Sequence, residues 1–283
     1  MFCRLAGLLS LLLVFAFAGC QQSVSKSVGS ANASPGASVA QTGPLKLRAT
    51  IAPLQGGALE GAEENVDLKA IAEFRPEAAE RTYSQDSFRP LLPEDPTVVG
   101  KPWRLPPGSV QPFLAQFHSS ASEHMNIDAN GCYAVVRAVS GDYVDVRIRA
   151  HGQYQLTPQS YLSPAQFSGQ LLFNRATDQV VFFVLSVPTD NILNVAFEVL
   201  KEDMKVGMLF TPEFKLQGGR LPESIQWSKE LPESDALALL QKQFYAFEQL
   251  KWLPLEEAVK RSEETRKPLF VVAIAGVLDD QSC

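Results

Sequence analysis

Residues 132–150 read CYAVVRAVSGDYVDVRIRA, two runs of strand length joined at Ser140-Gly141-Asp142. β-Branched and aromatic side chains dominate both runs, and the Ser-Gly-Asp break is a turn signal. In Tyr143-Val144-Asp145-Val146-Arg147-Ile148-Arg149 apolar and charged residues alternate, which predicts a strand with one buried and one wet face. Outward from this pair the pattern repeats in QFSGQLLFN (166–174), QVVFFVLSV (179–187) and LNVAFEVL (193–200), with breaks at 174–178 and 188–191. Residues 180–187 are almost wholly apolar and are expected to form a central strand. The pattern predicts an antiparallel β-rich domain, assigned to residues 119–230.

The flanks differ. Residues 45–118 carry Pro76, Pro90, Pro93, Pro96, Pro102, Pro106, Pro107 and Pro112, so an irregular Pro-rich segment is expected, extended chain wrapping the core. Within it VDLKAIAEF (66–74) has the spacing of a short helix, with Leu68, Ile71 and Ala72 on one face. Downstream, Ser234 is placed to cap a helix with Asp235 in its first turn. Leu237, Leu240, Phe244 and Phe247 recur at helical spacing as its core stripe. Pro254, Glu256 and Glu257 open a second helix, Lys260, Arg261, Arg266 and Lys267 lie towards its end, and Pro268 stops it. LFVVAIA (269–275) then reads as a buried strand.

The chain has 283 residues, 46% hydrophobic and 20% charged, which suits one or two globular domains. Twenty-five basic residues against 31 acidic give a net charge of −6, which argues against non-specific nucleic-acid binding. Four Cys are too few for a disulfide-stapled miniprotein, and three His argue against a His-rich metal enzyme. Residues 1–20, MFCRLAGLLSLLLVFAFAGC, combine Arg4, an apolar run and the small residues Ala18 and Gly19 before Cys20. This is the pattern of a signal peptide, assigned to 1–19. Phe17-Ala18-Gly19-Cys20 resembles the lipobox of bacterial lipoproteins, which implies diacylglycerol on Cys20 and a location in the bacterial cell envelope. Acyl chains would hold the protein on a membrane at about 0.8 kcal/mol per buried methylene. Residues 20–44, rich in Ser, Ala and Gly, read as a flexible linker.

Several candidate constellations are set aside. Asn126, Asp128, Asn130 and Gly131 resemble half of an EF-hand loop, but Arg137 stands at the twelfth position and would repel a cation, so the stretch reads as a turn entering a strand. His118 and His124, with Glu123 between, match no zinc spacing and suit surface or capping roles. No metal site is assigned. Cys132 is expected to be a buried small hydrophobe.

Trp252-Leu253-Pro254-Leu255-Glu256-Glu257-Ala258, followed by Arg266-Lys267-Pro268-Leu269-Phe270-Val271-Val272, resembles the opening of thioredoxin-like domains. Leu278-Asp279-Asp280-Gln281-Ser282-Cys283 is similar to the stretch of selenoprotein N that runs into a Ser-Cys-selenocysteine-Gly active motif. Phe167-Ser168-Gly169-Gln170-Leu171 resembles that family's F-x-G-x-L strand. Val187-Pro188-Thr189-Asp190 and Leu193-Asn194-Val195, with Glu202-Asp203-Met204 after them, resemble its VP…LNV signature. The resemblance spans roughly residues 110–283, in order.

The resemblance implies an α+β chain, the β-rich domain followed over 231–283 by the incomplete start of a thioredoxin-like domain. It implies a membrane-tethered thiol/selenol oxidoreductase with Cys283 as catalytic residue, selenocysteine expected as the next residue, and a disulfide-containing protein as substrate. The sequence as it stands would be inactive, its motif cut after Cys283 where a UGA codon reads as stop. No other cofactor is expected. The alternative is a non-catalytic envelope lipoprotein acting as a binding or scaffold module.

Overall fold

The computed structural model describes residues 43–52, 69–70, 73–123, 131–156, 161–162, 166–187, 193–200, 203–210, 213–244 and 250–271. The 132–150 hairpin is present as β4 (Tyr133–Val139) and β5 (Tyr143–His151), paired antiparallel with Val136 opposite Val146. Arg137 sits where the register shifts, at a bulge in β4. β5 pairs with β8 (Gln166–Asn174), β8 with β9 (Gln179–Ser186), and β9 with β12 (Glu213–Gly219), all antiparallel. Two short hairpins stand apart, β6 (Tyr154–Gln155) with β7 (Tyr161–Leu162) and β10 (Leu193–Leu200) with β11 (Asp203–Phe210).

The reading of 45–118 as irregular needs correction, because the segment supplies strands as well as wrapping chain. β1 (Leu45–Ala52) lies inside the sheet, between β12 and β2 (Glu80–Tyr83). Its sequence, LKLRATIA, alternates strictly, with Leu45, Leu47 and Ala49 buried and Lys46, Arg48 and Thr50 exposed. β3 (Trp103–Arg104) and β13 (Lys229–Glu230) both pair with β4. Among the described residues this makes a nine-stranded sheet, in the order β13-β4-β5-β8-β9-β12-β1-β2 with β3 off the path.

One face of the sheet is apolar, and residues 74–121 cover it. A 3₁₀ helix (Gln85–Leu91) inserts Phe88 and Leu91, and a single helical turn, α1 (Gln111–Leu114), inserts Phe113 and Leu114. Phe113 meets Phe88 at 5.1 Å and Phe183 of β9 at 4.8 Å between ring centroids. Phe117 and Phe74 close on Phe214 of β12 at 5.3 and 5.4 Å. Aromatic pairs at such offsets contribute beyond the area they bury. Of the expected 66–74 helix, Lys69 and Ala70 are helical and Phe74 is in the core; 66–68 and 71–72 lie outside the described residues.

The second face carries α2 (Glu233–Phe244) across β4 and β5. Pro232, not Ser234, stands before it, and its carbonyl accepts the Asp235 and Ala236 N–H groups. The stripe is as expected at Leu240 and differs at Leu237. Ala236 and Leu240 are fully buried against Val135, while Leu237 is exposed. Ala236 lets the helix come close to the sheet, and burying it turns Leu237 outward by one helical step. The Phe244 side chain and Phe247 lie outside the described residues.

Candidate functional site

Both cysteines assigned chemistry from the sequence, Cys283 and Cys20, lie outside the described residues. So do the signal segment, Ser282 and the 124–130 loop with His124, Asn126, Asp128 and Asn130. Among the described residues no helix is long and apolar enough to cross a membrane.

The chain leading towards Cys283 is described up to Val271. Helix α3 (Leu255–Thr265) follows Pro254, carries Glu256 and Glu257 in its first turn, and ends at Arg266, which is left-handed at φ 53°. Ser262 Oγ donates to the Lys267 carbonyl at 2.6 Å and closes this end. No basic residue falls in the last turn; Lys260 and Arg261 sit mid-helix. The expected strand at 269–275 is not formed over 269–271. Leu269, Phe270 and Val271 are exposed coil, and among the described residues no strand pairs with them. A strand at that position needs ladder partners before it can be buried.

Cys132 occupies the entry to β4. It is buried among the core side chains, and its carbonyl accepts the Leu105 N–H at 2.8 Å. Burial, with a smaller push from the Glu123 carboxylate, holds its thiol far above the ordinary range. A thiol so placed stays protonated and is a poor nucleophile. Glu123 is itself buried and engaged. Its two oxygens accept the backbone N–H groups of Gly108 (2.7 Å), Val110 and Gln111 (2.8 Å), which fixes the start of α1. His118 Nδ1 meets Ser120 Oγ at 2.7 Å and its Nε2 lies 3.9 Å from Glu77, a surface tie. Among the described residues no three His, Cys, Asp or Glu side chains gather into a metal site.

The second sheet face holds what the sequence reading missed. The charged positions of β5 expected to be wet are buried: Asp145 is fully inaccessible, Arg147 and Arg149 are nearly so, and His151 after them is buried as well. Asp145 Oδ2 accepts from Arg137 Nε and lies 3.6 Å from Arg147 Nη2, while Oδ1 accepts from Gln170 Nε2 at 3.0 Å. Arg147 reaches on to Glu233 at the start of α2, at 3.0 Å. Arg137 also points to the Leu231 carbonyl at 3.4 Å, to Glu230 at 3.6 Å, and over the Trp227 ring at 5.4 Å. A buried carboxylate between two guanidiniums has its charge compensated and its lone pairs used. The array thus ties residues 227–233, and with them α2, to β4 and β5. It is a positioning device, and it bears no group with the geometry of a nucleophile or general base.

The F-x-G-x-L motif and Val187 have packing roles. In Phe167-Ser168-Gly169-Gln170-Leu171 the odd positions face the core, with Phe167 and Leu171 fully buried. A Cβ on Gly169 would sit 3.1 Å from Leu185 Cδ1 and 3.2 Å from Ile148 Cβ, so the glycine fits where neighbouring strands close in. Val187 is buried in the same core, while 188–192 lie outside the described residues.

Comparison with known proteins points the same way. The chain is 26% identical over 256 residues to Selenoprotein N of Mus musculus, covering 69% of this chain and 46% of the relative. Against Selenoprotein N of Homo sapiens the identity is 26% over 256 residues, covering 69% and 43%. Against that of Danio rerio it is 25% over 270 residues, covering 74% and 48%. The chain thus spans a little under half the length of the relatives it matches. No protein-family model and no solved structure matches it. With F-x-G-x-L built into the core of its sheet and these three relatives alongside, the chain is a selenoprotein N-like protein.

Proposed function

We propose that this is a thiol/selenol oxidoreductase tethered to a membrane through lipid on Cys20, with Cys283 in its redox motif. The observation that carries the reading is the Leu278-Asp279-Asp280-Gln281-Ser282-Cys283 stretch in a chain otherwise similar to Selenoprotein N. In the motif it resembles, selenocysteine and glycine follow the Ser-Cys pair. A selenolate there attacks a substrate disulfide, forming a selenenyl sulfide and releasing one substrate thiolate. Cys283 thiolate then attacks selenium, releases the second substrate thiol, and leaves a Cys283–selenocysteine bond for an external thiol to reduce. Cys132, buried and held protonated, is not the partner thiol.

The test is disulfide reduction of insulin by the product of the gene's reading frame carrying selenocysteine after Cys283. Turnover that disappears with Cys283→Ser is expected. A folded, selenium-containing product without turnover would overturn the reading and favour a binding or scaffold lipoprotein. Tethering is tested separately by palmitate labelling, which Cys20→Ala is expected to abolish without changing the melting temperature of the folded part.

A further inference from the structure

Between the 3₁₀ helix and β3 the chain curls around a cavity of about 540 Å³. Its wall comes entirely from residues 89–106, a stretch that includes Pro90, Pro93, Pro102 and Pro106. The loop is pinned along its length. Leu92 N–H donates to the Arg89 carbonyl, Asp95 Oδ1 accepts from the N–H and hydroxyl of Thr97, and Gly100 and Leu105 N–H groups donate to Val136 and Cys132 carbonyls. Prolines and anchored turns make the cavity preformed, and its volume lies in the range of small-molecule sites.

A second cavity, about 350 Å³, shares the wall at Arg89, Leu92, Pro93 and Glu94. At that shared end Arg89 is already committed to a two-point ion pair with Asp178. The larger cavity is also lined by Trp103, half-buried, and Lys101, whose ammonium enters no hydrogen bond or ion pair among the described residues. Glu94, Asp95 and Arg104 are the other charged lining groups, Asp95 being tied to Thr97, and an aromatic ring with an uncommitted cation in one proline-rich wall suits a flat ring bearing an anionic group.

We propose that this cavity is a binding site for a small aromatic carboxylate, its ring on Trp103 and its carboxylate on Lys101. The proposal is independent of the redox reading. The probe is indole-3-acetate, followed by saturation-transfer NMR on the full chain, with indole-3-acetamide as its uncharged counterpart. The expected Kd for the acid is about 1 mM, the scale available to so small a ligand, with the amide about tenfold weaker. Lys101→Met should erase the preference for the acid and Lys101→Arg should keep it. Lys101 is exposed, so neither change threatens the fold. Trp103→Leu should weaken both probes. Equal binding of acid and amide, a preference that survives Lys101→Met, or no saturation transfer at about 10 mM would overturn the proposal.

Discussion

Asp145 shows how far one side chain can organise its surroundings. It is wholly inaccessible, yet Arg137, Arg147 and Gln170 all reach it. Breaking a buried pair from one side strands charge without a partner, which is costlier than never having had the pair. Asp145→Ala should therefore destabilise the protein by about 3–5 kcal/mol, because two guanidiniums lose their shared carboxylate. Glu233→Gln, which touches the exposed end of the same array, should cost less than about 1 kcal/mol. Urea unfolding monitored by circular dichroism separates the two. Equal effects would mean that the array is held mainly from the α2 side. In the sequence this residue looked like one charge on a solvated strand face. What hid its role is that α2, almost ninety residues later, covers that face, and alternation along a strand cannot tell which of its two faces a distant helix will take.

At the scale of elements, strands were the most legible and their partners the least. β4, β5, β8, β9 and β10 stand where alternation and turn residues place them. β1 alternates as plainly, but the prolines after it drew the whole 45–118 segment into an irregular reading. Pro disrupts only the positions it occupies, and β1 ends before the first of them. In the α2 stripe Leu240 was placed correctly, but Leu237 was taken in place of Ala236 because size was weighed over closeness of approach. Closeness also governs the glycines. β12 runs between β1 and β9, and a Cβ on Gly218 would lie 2.1 Å from the Lys46 carbonyl oxygen. Gly108, by contrast, has a positive φ of 82° and nothing within 4 Å of a Cβ. Gly108→Ala should cost about 1–2 kcal/mol, the price of a left-handed backbone. Gly218→Ala must push β12 away from β1 and should cost at least about 3 kcal/mol. Thermal melts of the two variants decide this, and a milder effect at Gly218 would mean that β1 and β12 separate easily.

The whole molecule integrates its titrating groups into a stability profile with two limbs of different origin. Ser119 N–H and O–H hold the Glu77 carboxyl below its ordinary 4.5, and Arg89 holds Asp178 below 3.8. In the acid window the unfolded chain binds more protons than the folded one, so stability rises with pH and is fully present above the ordinary carboxylate range. These groups are exposed, so this limb should be shallow and should flatten further in salt. On the alkaline side the signs reverse. Burial raises the Cys132 thiol above its ordinary 9.0, and Tyr83 and Tyr154 above 10.0. The unfolded chain then loses protons that the folded chain keeps, so the stability these groups confer is complete below pH 9.0 and declines as pH rises past it. Cys132 titrates first in the unfolded state, so it sets the onset. Cys132→Ala lowers stability at every pH through lost packing, but its own proton no longer contributes, and the alkaline decline should begin nearer 10 than 9, where the tyrosines take over. Melting temperature measured from pH 7 to 11 in both proteins reads this directly. Parallel curves for the two, offset but with the same onset, would show that the Cys132 thiol ionises as readily folded as unfolded and is not sealed in the core.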